Sequence, residues 1–179
     1  MRLGGVVELD LLEAMVDERE NKRYLPDVPF PDNLTAYPDI EECLQGARDI
    51  LIVGPSHGLR DTLTRIKPLL GPDSRICWAT KGFELSTGKL PHQVAAEVLG
   101  SDIPVAVLSG PTFAKEVGAG LPTAMTIASH DHEFAQALAV AISSDNFRAY
   151  TSDAVSYTHL RAHETRYVIS YAVFCLKRG

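Results

Sequence analysis

Three apolar runs, each closed within two residues by a glycine, restrict what this chain can fold into more than any other feature. They are Asp49-Ile50-Leu51-Ile52-Val53 before Gly54-Pro55, Arg75-Ile76-Cys77-Trp78-Ala79-Thr80 before Lys81-Gly82, and Val105-Ala106-Val107-Leu108-Ser109 before Gly110-Pro111. Apolar character that is continuous rather than alternating is what a strand buried on both faces requires. Between the runs lie segments of helical period. Leu59, Leu63, Ile66 and Leu70 share one side of the first, and residues 92–99 form the second. A strand at 123–129, a helix at 133–143 and a strand at 147–150 continue the pattern. Strands alternating with helices of this length predict βαβ units, an α/β fold and a parallel sheet with right-handed crossovers. Such a sheet binds ligands beyond the carboxyl ends of its strands, and all three glycine-closed loops fall on that edge.

Upstream the pattern is looser. Gly4-Gly5-Val6-Val7 reads as a strand fragment, and Leu11, Leu12, Met15 and Val16 share one face of a helix over 11–20. Pro26, Pro29 and Pro31 then forbid regular structure. Residues 34–37 read as an edge strand, and Pro38 opens a short helix over 39–45 that Gly46 closes. Apolar residues make up 45% of the 179, enough for one sizeable core. The net charge of −6 argues against nucleic acid or an anionic membrane as the main partner. No apolar run reaches spanning length, no signal-type segment follows Met1-Arg2, and Cys43, Cys77 and Cys175 show no pair spacing. The expectation is a cytoplasmic protein with reduced thiols and no membrane insertion.

Among the polar residues on the carboxyl edge, Lys81 is the sharpest. Directly after a buried strand, its ammonium is placed to neutralise a phosphate or polarise a carbonyl, a charge-assisted contact of about 1.5–3 kcal/mol. Gly110 lets backbone approach a ligand closely, and Thr112 brings a hydroxyl that either caps the following helix or binds a substrate oxygen. Lys115 and Glu116 read as a solvated pair, His57 as a helix-start donor, and His130 and His132 beside Asp131 as capping and solvation.

Taken together, LPDVPFPD, ILIVGPSH, WATKGFE with TG following, and SGPTFAKE followed by GLPTA resemble the bacterial NAD(P)-dependent glycerol-3-phosphate dehydrogenases. The resemblance runs from about Leu11 to about Asp153. It implies a Rossmann-like doubly wound parallel sheet, with NADPH or NADH as cofactor. The reaction it implies is reduction of dihydroxyacetone phosphate to sn-glycerol 3-phosphate for phospholipid synthesis. Carried over by position, Lys81, Gly110 and Thr112 bind substrate, and Lys81 and Ala114 contact the cofactor. No catalytic residue of the family falls in this chain, because its proton-transferring lysine belongs to an all-helical second domain. The first βα unit, with the GxGxxG turn that holds the pyrophosphate, is also missing: Gly4-Gly5 lacks the third glycine. That unit would supply a central strand, between the part ending near Tyr37 and the part starting near Asp49.

The expected organisation is therefore a partial dinucleotide-binding domain over 1–153 and a non-native tail over 154–179. Val155 to Thr165 (VSYTHLRAHET) resembles one reading frame of a transposase-type sequencing adapter, and ISYAVFCLK resembles its primer end. His159 and His163 have helical metal-site spacing, but Leu160 stands where a metalloprotease pattern needs Glu, and no metal site is expected. Without its first strand, the sheet is expected to expose apolar edges. Two rival readings stay open here: a related 3-hydroxyacid or ketopantoate-type dehydrogenase, and a non-catalytic α/β ligand-binding module.

Overall fold

The structure, a computed structural model, describes residues 2–5, 9–153 and 172–176. In chain order the strands are β1 (Arg2–Gly5), β2 (Thr35–Tyr37), β3 (Asp49–Val53), β4 (Arg75–Trp78), β5 (Val105–Ser109), β6 (Thr123–Ala128), β7 (Phe147–Ser152) and β8 (Ala172–Leu176). The helices are α1 (Leu9–Glu18), α2 (Ile40–Leu44), α3 (Leu59–Ile66), α4 (Pro91–Leu99), α5 (Ala114–Gly118) and α6 (His132–Ile142). All eight strands join one sheet, in the order β2-β1-β8-β3-β4-β5-β6-β7.

The continuous apolar runs are the centre of that sheet. Along β4, Ile76 and Trp78 enter one core with α2, α3 and α4, while Cys77 enters a second core with α6. Val107 does the same on β5, with Ala106 and Leu108 facing the other way. Each fully buried aliphatic or aromatic side chain is worth about 1.5–3 kcal/mol relative to exposure, so these two layers fix the register. A smaller cluster of Leu12, Met15 and Leu34 seats α1 beside the β1–β2 end.

Local chemistry sets the helix boundaries. Asp39 caps α2 by accepting from the Glu41 amide, and Gly46 follows at φ 67°. The helical pattern through Leu70 is cut short. α3 ends at Ile66, and a 3-10 turn over Lys67–Leu69 follows, because Pro68 has no amide to continue the α ladder.

Two features differ from a simple parallel sheet. β6 runs antiparallel to β5, pairing Leu108 with Ile127 and Ser109 with Thr126. The connection carries only the five-residue α5. Such a helix rises about 7 Å, whereas a strand of this length spans about 17–20 Å. The chain is therefore never carried back to the amino edge and re-enters the sheet where it left. The second difference is at the central gap. β8 fills it, antiparallel to β1 on one side (Leu3 opposite Phe174) and to β3 on the other (Leu51 opposite Phe174). The open edges expected there are instead paired along both backbones. His159, His163 and the rest of 154–171 lie outside the described residues.

Candidate functional site

The loops after β3, β4 and β5 meet at the carboxyl edge. Gly82 adopts φ 87°, a left-handed conformation open to glycine, and a Cβ built there would lie 3.8 Å from the Ser56 hydroxyl in the turn after β3. This turn returns Lys81 toward the neighbouring loop, where its Nζ donates to the Gly110 carbonyl at 3.3 Å. The same carbonyl accepts from the Thr112 amide at 2.9 Å. One backbone oxygen thus joins Lys81, Gly110 and Thr112.

Lys81 is half-buried, and burial holds its ammonium below the usual lysine range. Among the described residues no carboxylate pairs with it. A desolvated cation with a single carbonyl contact gains most from an anionic ligand, whether a phosphate or an oxygen that takes up charge during reaction.

Gly110 has a reason to be glycine beyond the ligand approach the sequence suggests. A Cβ there would lie 2.7 Å from the Ala124 carbonyl oxygen and 2.9 Å from the Met125 Cα. The backbone that approaches closely is that of β6, and this contact holds the site loop against the sheet. The cap of α5 falls on Phe113 without a side-chain hydrogen bond, so the Thr112 hydroxyl does not serve the helix. Thr112 is half-buried, and Ala114 opens α5 on the surface. Lys115 and Glu116 are exposed, as is His57 in the 3-10 turn Ser56–Gly58. His130 and His132 are also exposed, and Asp131 makes the α6 cap by accepting from the Phe134 amide at 2.8 Å. They sit away from Lys81, near the start of β5, where the Ser129 hydroxyl donates to the Val105 carbonyl.

Two parts of the site were not found from sequence. The proline-rich segment reaches α5, for a Cβ on Gly118 would meet Val28 Cγ2 at 2.9 Å and Leu25 Cδ2 at 3.4 Å. Glu84, three residues after Lys81, is buried and holds the Arg60 guanidinium through both carboxylate oxygens, at 2.8 and 2.9 Å.

A nucleotide cofactor finds only part of a cradle. Lys81 and Ala114 lie at the carboxyl edge. Between β1 and β3, however, the strand that meets this edge starts there instead of ending in a turn to a helix: Ala172, the first residue of β8, pairs with Val53 and Gly5. Gly4 and Gly5 lie inside β1. The described residues therefore supply no pyrophosphate turn.

The family description "NAD-dependent glycerol-3-phosphate dehydrogenase N-terminus" matches residues 6–135. A glycerol-3-phosphate dehydrogenase [NAD(P)+] of Stenotrophomonas maltophilia is 48% identical over 143 residues, covering 80% of this chain and 42% of the relative. One from Klebsiella pneumoniae is 54% identical over 127 residues, covering 71% and 38%. The crystal structure of glycerol-3-phosphate dehydrogenase from Coxiella burnetii superposes with a TM-score of 0.80 at 43% identity, over 85% of this chain and 46% of that one. The chain thus spans less than half the length of the relatives it matches, and neither rival reading is favoured.

Proposed function

Because the chain belongs to the family of the NAD-dependent glycerol-3-phosphate dehydrogenase N-terminus, we propose that it is the nucleotide-domain part of an enzyme reducing dihydroxyacetone phosphate to sn-glycerol 3-phosphate in the cytoplasm. The observation that carries this reading is the Gly110 carbonyl, which accepts from both Lys81 and Thr112 on the ligand-binding edge. In this reading Lys81 offers its ammonium to the substrate oxygen that gains charge. Thr112 supplies a hydroxyl to the substrate, and Ala114 lies against the cofactor. NADPH or NADH supplies the hydride when bound; Gly110 fixes the spacing of the wall. None of the described helices is long and apolar enough to cross a membrane.

In this reading the described residues are half of the site, and they are expected to turn over no substrate by themselves. The test follows NADPH and NADH oxidation with added dihydroxyacetone phosphate, in this chain and in a version extended to the relatives' length. The extended protein is expected to be active, and Lys81→Ala to lower its kcat/KM by about 10²–10³-fold. Turnover by the present chain refutes the half-site reading. An extended protein that reduces a keto acid such as ketopantoate in preference to dihydroxyacetone phosphate refutes the substrate.

A further inference from the structure

We propose that Glu84, held by Arg60, is the positioning residue for Lys81. Glu84 is 5% exposed, although it stands between the exposed Phe83 and Leu85. Its carboxylate accepts from Arg60 Nε and Nη2 and from the Thr87 hydroxyl. Its main chain is committed as well: the amide donates to the Lys89 carbonyl at 2.8 Å, and its own carbonyl accepts from Gly88 at 2.7 Å. Gly88 completes this turn at φ 71°. The segment between β4 and α4 is thereby tied into a closed loop at one residue.

The anchor of that loop is α3. Arg60 lies at the start of that helix, just after the turn Ser56–Gly58, whose Ser56 hydroxyl would lie 3.8 Å from a Cβ on Gly82. Arg60 also donates to Glu97 of α4 at 2.8 Å, and Glu97 accepts from Lys89. Two cations and two carboxylates neutralise one another here, so the cluster has no net charge to offer a ligand. Its consequence is geometric. Lys81 is left three residues from a fixed point on one side and hydrogen-bonded to Gly110 on the other. A lysine side chain carries about 2 kcal/mol of rotamer entropy, and a loose loop would let its ammonium swing into water. The inference rests on the proposed function for what Lys81 acts upon. The position itself is measured without substrate.

The experiment uses the whole chain, reductively methylated with 13C-formaldehyde, with the Lys81 dimethylamino signal assigned by Lys81→Arg and titrated by NMR. In the unaltered chain this signal titrates below the usual lysine range, because the site is desolvated. With Glu84→Gln it moves up to the exposed-lysine range, about 10.4. Glu97→Gln breaks the outer part of the cluster but leaves the Arg60–Glu84 pair, and Lys81 titrates as before. Trp78 fluorescence confirms that each variant is folded. If Glu84→Gln does not fold, Thr87→Val removes one donor to the carboxylate and is expected to move Lys81 part of the way. A folded Glu84→Gln chain, or in its place a folded Thr87→Val chain, with Lys81 unmoved overturns the proposal. So does an equal movement with Glu97→Gln. Either result leaves the dehydrogenase reading standing, whereas a wrong substrate leaves the titration unchanged.

Discussion

Gly110→Ala tests the contact on which the site loop rests. The added methyl would lie 2.7 Å from the Ala124 oxygen, 2.9 Å from Met125 Cα and 3.1 Å from Met125 Cβ. The two nearest atoms are backbone of β6, which is paired with β5 on one side and β7 on the other. They cannot yield as the end of a flexible side chain would. Gly110 is not among the positive-φ glycines, so alanine meets no conformational penalty and the collision is the whole cost. Overpacking of this kind costs about 1–3 kcal/mol. The reduced freedom of the unfolded chain returns about 0.4–1 kcal/mol. Taking the middle of each range, the net loss is about 1.3 kcal/mol, or about 3–5 °C in Tm for a domain of this size. Urea unfolding followed by the buried Trp78 measures it. The control is Gly71→Ala, whose nearest neighbour is Ser74 Oγ at 3.9 Å, with an expected change within about 0.5 kcal/mol. A Gly110→Ala midpoint equal to that of Gly71→Ala, at unchanged m, refutes the steric account.

Asp49 and Arg75 form a buried pair, with Nε to Oδ1 at 2.5 Å and Nη2 to Oδ2 at 2.7 Å, and the guanidinium lies 4.6 Å from the Phe134 ring centre. Asp49→Ala leaves that cation buried without its partner and is expected to cost about 3–5 kcal/mol in urea, while an Asp49→Leu, Arg75→Met double variant recovers most of it. The Arg60 and Thr87 hydrogen bonds hold the Glu84 carboxyl down at about 2. A depressed carboxyl stabilises the fold fully above its unfolded value near 4.3 and loses that contribution as pH falls toward 2. The urea midpoint of Glu84→Gln is therefore expected to be less sensitive to pH between about 4 and 2, and parallel pH profiles would contradict this. Removing residues 154–179 unpairs the facing edges of β1 and β3. Light scattering should show association of the shortened chain, and a monomer with cooperative unfolding would argue that β8 is dispensable.

The readable part of the sequence was the part where burial alone decides structure. β5 is the observed strand at both ends of the predicted one, because a strand covered on both faces needs an unbroken apolar run and its glycine marks the exit. The direction of β6 was not readable from its own residues. Thr123 to Ala128 would suit either direction, and the decision lies in the shortness of α5. β8 was missed for a related reason: it joins through backbone hydrogen bonds to strands more than a hundred residues away, and no local period encodes that. Lys81 was legible because its position follows from the strand before it. Glu84 was not, since the side chain that buries it, Arg60, is 24 residues distant and its own neighbours are exposed.

The wall that results has one surface left to explain. Phe83 stands beside Lys81-Gly82 and Phe113 beside Thr112, with Val117 and Leu121 following, and all four are exposed. Isolated apolar side chains on a surface need no cause, but Phe83 and Phe113 adjoin in sequence the loops that hold a half-buried ammonium. The attraction between that ammonium and an anionic substrate grows as the local dielectric falls, by several-fold between bulk water and a covered site. On the proposed function, a bound ligand that covers Phe83 and Phe113 excludes the water that would screen Lys81. The position of Lys81 is fixed within this domain, through Gly110 and Glu84, whereas the strength of its contact depends on what closes over Phe83 and Phe113.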